Sequence, residues 1–271
     1  MKFYLNGRWV TPEEATIPFA DKGFQLGESL FETIRVNNSR PFRVSKHMER
    51  LQSGLQSIQL DSQSLVDGIP TLVQEYIDRN KIGDALVKII ITRGVGRDPA
   101  IYISSRNIPD TESWPKKIIF LEEKNYPILR FHPAIKSGNY LGNMLAKRDA
   151  EEAGAFEPVF ISEEGYVTEC AIRNVFFIRN NTLVTPSIEL GVLPGVVRDT
   201  IMELALKQGL QVEEAFIRAE HVNDMDEAFI SSTGVGVLPV YWDGFQSKYE
   251  KSQQLMTALN LLFESGELDA T

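Results

Sequence analysis

The sequence has one cysteine, Cys170, so it cannot close an intrachain disulfide. A lone thiol fits a reducing cytoplasm, which is the expected location. Histidine is almost as scarce. His47, His132 and His221 are scattered without metal-ligand spacing, and HExxH, CxxC and P-loop patterns are absent. No apolar run approaches the roughly 18 residues that a membrane span needs. The opening "MKFYLNGRWV" has no apolar signal core. Basic residues are outnumbered, 28 against 37 acidic, for a net charge of −9. Nucleic acid and anionic membrane reward clustered Lys and Arg, so neither is an expected partner. "GVGRDP" and "GVGVLP" are glycine-rich, but neither makes the GxGxxG strand-to-helix turn of a dinucleotide site.

What is present is a chain of 271 residues, 43% hydrophobic, enough for two modest cores. "KFYL" and "RWV" flank Asn6-Gly7, a strong hairpin signal. "LFETIRV" and "PFRV" flank a second hairpin. Ser45 reads as the N-cap of a helix whose stripe is Met48, Leu51, Leu55 and Ile58. A second helix is expected over 72–78, and "ALVKIIITRG" reads as a buried strand that "AIYISS" can pair with. "RNIPDTESWP" has two prolines and no periodicity. It divides the chain into an N-terminal domain at 1–106, a linker at 107–115 and a C-terminal domain at 116–271. The C-terminal part reads as a strand "KIIFLE", a helix from Leu141 to Ala153 and two hairpins. A second helix after Pro194-Gly195 buries Val197, Ile201, Leu204 and Ala205, and a strand enters a Ser-Thr-Gly turn. Strands and helices mix without a βαβ repeat. That predicts an α+β chain of two domains, the second larger and barrel-like.

Four features distant in sequence make chemical sense together. Lys136 ends a strand-like run before a Ser-Gly-Asn turn. Glu169 ends the strand "GYVTE". Gly195 opens a helix whose first amides belong to Val196 and Val197. Arg50 lies on the first helix. An amine, a carboxylate, a helix N-terminus and an arginine are the parts that hold pyridoxal 5′-phosphate (PLP). They serve as covalent anchor, partner of the pyridine nitrogen and phosphate ligands. Each alone has a plainer reading: a solvated lysine, a surface glutamate, an idle helix start, a snorkelling arginine. Lys147, on a helix surface, reads as a solvated charge.

The chain resembles the class IV (fold-type IV) PLP-dependent aminotransferases, a family that includes branched-chain aminotransferases, D-amino-acid aminotransferases and 4-amino-4-deoxychorismate lyase. The blocks that carry the resemblance run in order: "FQLGESLFETIRV", "HMERL", "KSGNYL", "GYVTECAIRNVFF", "LPGVVRDTI" and "FISSTGVGVLPV". The resemblance implies Lys136 as the Schiff-base lysine and Glu169 at the pyridine nitrogen. It implies Arg50, the Val196 and Val197 amides and Thr233 at the phosphate, with Tyr140 near the cofactor's phenolic oxygen. It also implies a homodimer acting on an amino acid and a 2-oxo acid. Phe31, Gly234 and Val235 are candidate pocket residues, and Arg97 and Arg35 are candidates for the substrate carboxylate. The sequence departs from the family at Val197, where threonine is common. It departs again at Gly236-Val237-Leu238-Pro239, where many transaminases read Glu-Ile-Thr-Pro. "TECA" is similar to the lyase, and Phe31-Glu32 to the branched-chain enzymes. The expected activity is transfer of an amino group from a branched-chain or similar amino acid. The alternative is a lyase that makes 4-aminobenzoate and pyruvate.

Overall fold

The computed structural model describes residues 1–60, 63–96, 98–110 and 113–265. The strands and helices are mixed as an α+β chain that divides into two compact units. The first contains 1–108, 135–139 and the chain from Leu262 on; the second contains 109–134 and 140–261. The division expected from sequence was linear. The compact units are not, since 135–139, with Lys136 in it, groups with the first unit.

The first unit holds β1 (Phe3–Leu5), β2 (Arg8–Val10), α1 (Lys22–Leu26), β3 (Ser29–Asn37), β4 (Arg40–Pro41), α2 (Val44–Ser57), α3 (Gln63–Asn80), β5 (Ala85–Thr92) and β6 (Ala100–Arg106). Its sheet runs β2-β1-β6-β5-β3-β4. Asn6 and Gly7 both take positive φ, as the tight β1–β2 turn requires. In β3, Leu30, Glu32, Ile34 and Val36 are buried while their neighbours are half-buried. That face packs with Met48, Leu51 and Leu55 of α2 and Val66, Ile69, Val73 and Ile77 of α3 in one core. Two expectations are corrected here. The N-cap of α2 is Arg43, in the left-handed region at φ 47°, so Ser45 lies within the first turn. The second helix is longer than 72–78: α3 keeps its buried stripe at helical spacing through Pro70, and packing outweighs the backbone bond that Pro removes.

The second unit holds β7 (Lys116–Glu122), α4 (Leu141–Glu152), β8 (Glu157–Ile161), β9 (Val167–Cys170), β10 (Asn174–Arg179), β11 (Thr182–Pro186), α5 (Val196–Lys207), β12 (Gln211–Ala215), β13 (Glu227–Ser232), β14 (Gly236–Tyr241) and α6 (Glu250–Ser265), whose last residues group with the first unit. Eight strands form one sheet in the order β12-β11-β10-β13-β14-β7-β8-β9. The sheet curls until its ends meet. Val167 N of β9 donates to Ile217 O at 2.8 Å, and Ala219 N donates to Gly165 O at 3.0 Å. This is the barrel-like form expected from the sequence. Its interior is apolar, with Val159, Val175, Phe177, Ile230 and Leu238 in one cluster. Among the described residues, no helix is long and apolar enough to cross a membrane.

Candidate active site

In the first unit, Lys136 is set by backbone pairing against β3. Phe31 N donates to Lys136 O at 2.9 Å, Gly138 N donates to Ser29 O at 2.8 Å, and Leu30 and Ser137 form a single bridge. The strand-like run expected before Lys136 is thus one bridge rather than a strand. Two close approaches hold it. A Cβ at Gly27 (φ 73°) would stand 2.2 Å from Asn139 Oδ1, and one at Gly138 would stand 2.1 Å from Ser29 Oγ. Asn139 Nδ2 donates to Gly27 O at 3.0 Å, tying the lysine segment to the turn before β3. The half-buried Lys136 ammonium lies 4.5 Å from the centre of the Phe31 ring.

Arg50 carries a partner that the sequence reading missed. Its guanidinium grips Glu32 with both prongs, Nε to Oε1 at 2.8 Å and Nη2 to Oε2 at 2.6 Å. His47, one turn earlier on α2, meets Glu32 Oε2 through Nδ1 at 2.7 Å. Glu32 is fully buried. Burial alone would raise its pKa, but the Arg50 charge and the His47 contacts outweigh it and pull the carboxyl down to about 2. His47 is shifted downward as well. Burial lowers its pKa, Glu32 only partly offsets that, and the Arg50 and Lys136 charges add to it. The alternation of β3 was the available signal: an acid on an otherwise apolar face needs partners on the helix that packs there.

In the second unit, Glu169 lies on β9 and is held at both oxygens. Arg130 Nη1 donates to Oε1, and Leu193 N donates to Oε2 at 3.2 Å. Arg130 also forks onto Glu123, Nε to Oε1 at 2.8 Å and Nη2 to Oε2 at 2.7 Å, and its Nη2 reaches Thr168 Oγ1 at 3.1 Å. Burial alone would favour a neutral Arg130; Glu169 and Glu123 reverse this and hold it charged. Two carboxylates share one guanidinium, so the cluster keeps a net negative charge. Arg130 sits in irregular chain, and no sequence signal marked it.

The start of α5 lies in the same unit. Its N-cap is Gly195, with no side chain bonded to the cap, and the Val196 and Val197 amides precede any intrahelical acceptor. A Cβ at Gly195 would stand 2.3 Å from Asn174 Oδ1, so only glycine fits. Asn174 pairs with Ser231 across β10 and β13, which sets the turn from 233 to 235 beside that strand. Thr233 is half-buried there, while Gly234 and Val235 are buried. The Ser231 hydroxyl is buried without a hydrogen-bond partner among the described residues. Uncapped amides and an unpartnered hydroxyl suit an anion such as a phosphate. Tyr140 stands at the N-cap position of α4.

The remaining candidates fall elsewhere. Arg97 lies outside the described residues. Arg35 stacks on Phe263 at 4.2 Å and donates to Asn37 Oδ1 at 2.8 Å, contacts of a packing residue. Lys147 is not the solvated charge expected. It is half-buried, bonded to the Phe156 carbonyl and 2.8 Å from Glu151.

Comparison with known proteins gives the family of the chain. The family model described as amino-transferase class IV matches residues 29–241. A D-alanine aminotransferase of Listeria monocytogenes is 30% identical, over 97% of this chain and 95% of its own. An aminodeoxychorismate lyase of Bacillus subtilis is 29% identical, over 96% and 93%. The solved branched-chain amino acid aminotransferase of Escherichia coli is 25% identical, with a TM-score of 0.87 over 99% of this chain and 96% of that one.

Proposed function

Because the chain belongs to the class IV aminotransferase family, we propose that it moves an amino group between a branched-chain or similar amino acid and a 2-oxo acid, with PLP as cofactor and 2-oxoglutarate as acceptor. When bound, PLP supplies an electrophilic carbon and an electron sink for the substrate's Cα electrons. The observation that carries this reading is the second unit's pairing of a net-negative carboxylate cluster at Glu169 with an uncapped helix start at Gly195. Glu169 would hold the ring nitrogen in its protonated, cationic form. The Val196 and Val197 amides, Thr233 and Arg50 would hold the phosphate, and Tyr140 the phenolic oxygen. Lys136 would hold the cofactor covalently through Nζ. As a neutral amine, Lys136 Nζ would take the proton from the amino acid's Cα. Phe31, Gly234 and Val235 offer the side-chain pocket apolar surface, and Arg97 takes the substrate carboxylate.

The similarity to the B. subtilis lyase supports the alternative, release of pyruvate from aminodeoxychorismate. One pair of assays decides. The proposal expects oxo-acid-dependent consumption of a branched-chain amino acid. Rapid pyruvate formation from aminodeoxychorismate without any oxo acid, and no transamination across an amino-acid panel, would overturn it.

Glu169→Gln should keep its cofactor and lose about 10²-fold or more in the rate of Cα proton removal, since an amide cannot balance a cationic ring. Single-turnover absorbance reads this, and wild-type rates would remove Glu169 from the mechanism.

We also propose a cytoplasmic homodimer. The buried thiol of Cys170 supports the compartment. The second copy is supported by a run of exposed apolar side chains: Ile17, Phe19 at 78% exposure, Phe24 and Leu26. Sedimentation should give twice the 30.6 kDa chain mass; a fully active monomer would contradict it.

A further inference from the structure

Asn174 opens β10 and is buried, with its backbone held opposite Ser231 of β13. A buried amide needs hydrogen-bond partners. This one uses its donor on the chain that joins the two ends of the candidate site. Its Nδ2 donates to Leu193 O at 2.9 Å. Leu193 N donates to Glu169 Oε2 at 3.2 Å. A single residue therefore meets the site carboxylate through its N–H and Asn174 through its carbonyl. Arg130 reaches the same stretch earlier, at Gly191 O, 3.3 Å away.

The link runs on stiffly to the helix. Leu193 O and the Pro194 nitrogen share one planar peptide, so a bond to that oxygen fixes the plane. Pro194 has a set φ and keeps the residue before it extended. Two residues after Leu193, Gly195 is the N-cap of α5, and it lies against the same side chain: a Cβ there would stand 2.3 Å from Asn174 Oδ1. One end of the Asn174 amide thus holds the peptide next to Glu169. The other end sets how closely the start of α5, with the Val196 and Val197 amides, approaches the sheet.

We propose that Asn174 is a positioning residue that sets the Glu169 carboxylate and the N-terminus of α5 in register, so that they meet two separate groups of one PLP molecule, the ring nitrogen and the phosphate. The proposal rests on the reading of this site as a PLP site. Asn174 acts through Leu193 and Gly195 rather than on the cofactor. Without its amide, the Leu193 peptide loses an anchor. Glu169 keeps Arg130 at one oxygen, while the N–H at the other loses its fixed place.

The test is equilibrium dialysis of PLP, and of pyridoxal, which lacks the phosphate, against the cofactor-stripped full chain. Wild type, Asn174→Ala, Glu169→Gln and the double variant are compared. Asn174→Ala should weaken PLP binding about tenfold, the scale of a buried carbonyl left without its partner. Pyridoxal should lose a smaller factor, through the Glu169 end alone. The double variant should bind pyridoxal little more weakly than Glu169→Gln does, because the effect of Asn174 on the ring passes through that carboxylate. Asn174→Asp, of the same size but without the donor, carries the same prediction for PLP if the alanine variant does not fold. A folded Asn174 variant that binds PLP as wild type does overturns the proposal. So does weakened PLP with unchanged pyridoxal, which confines Asn174 to the helix start, or a pyridoxal loss that adds in full to that of Glu169→Gln. Two variants that both fail to fold make Asn174 a residue of stability alone and overturn it too. A wild-type protein that binds no PLP overturns the cofactor reading itself, and this proposal with it.

Discussion

Replacing Lys136 with alanine should remove turnover by about 10³-fold or more, the scale of a general base combined with covalent anchoring. The variant should fold normally. Lys136 is half-buried, and the bonds that place its segment, Phe31 N to Lys136 O, Gly138 N to Ser29 O and Asn139 Nδ2 to Gly27 O, do not involve its side chain. Borohydride reduction of the wild type should fix PLP to Lys136, with nothing retained by the variant. Peptide mapping that finds the label on Lys147 would refute the assignment. Lys147 is the natural control, because its amine is already committed to Phe156 O and Glu151.

The second large effect is on stability. Glu32→Gln should cost about 3–5 kcal/mol, the range for breaking a buried ion pair by removing one partner. The amide leaves the Arg50 fork without its counter-charge and His47 beside a cation in a dry site. The sign of the pH dependence follows from the shifts. Glu32 has a folded pKa of about 2, below an ordinary glutamate. Its contribution is full above the unfolded value near 4.3 and is lost as pH falls toward 2. The His47 pKa is also lowered on folding, so its contribution is full above about 6.5 and shrinks below it. Urea titrations from pH 7 to pH 2 should show wild type losing its advantage on the acid side, with the two curves converging. Equal stability at pH 7 would show that the cluster adds nothing net.

Lys136 and Glu32 differ in how far the sequence revealed them. The buried pairing of Glu32 with Arg50 and His47 was missed. Lys136, like Glu169, stands in a short block that resembles the family's, so both are candidates from the chain alone. The same holds for α5, where Pro194-Gly195 marks the start and Val197, Ile201, Leu204 and Ala205 fall on one buried stripe. The positioning groups could not be named so directly. Arg130 lies in irregular chain between its two carboxylates, and nothing local requires a cation there. The Glu227 carboxylate is as hidden in sequence. It caps α6 by accepting from Lys251 N at 2.9 Å and Ser252 N at 2.8 Å, from a strand more than twenty residues earlier. The helix it caps, which the sequence reading did not name, buries Leu255, Leu259 and Phe263. The domain division was legible only as far as composition could take it. Residues 135–139 return to the first unit by pairing with β3, and pairing partners distant in sequence leave no mark on local composition.

The meeting of β9 with the chain after β12 has a further consequence. An open eight-stranded sheet ends in two rows of unpaired backbone groups, and each can recruit a strand from another molecule. Here the bonds from Val167 to Ile217 and from Ala219 to Gly165, with the bridge between Tyr166 and Arg218, spend one row on the other. Arg218 adds a cation over the Tyr166 ring at 4.3 Å, so the seam is fastened by side chains as well as backbone. Closure therefore protects the protein from edge-to-edge self-association, a safeguard independent of anything the enzyme does with its substrates.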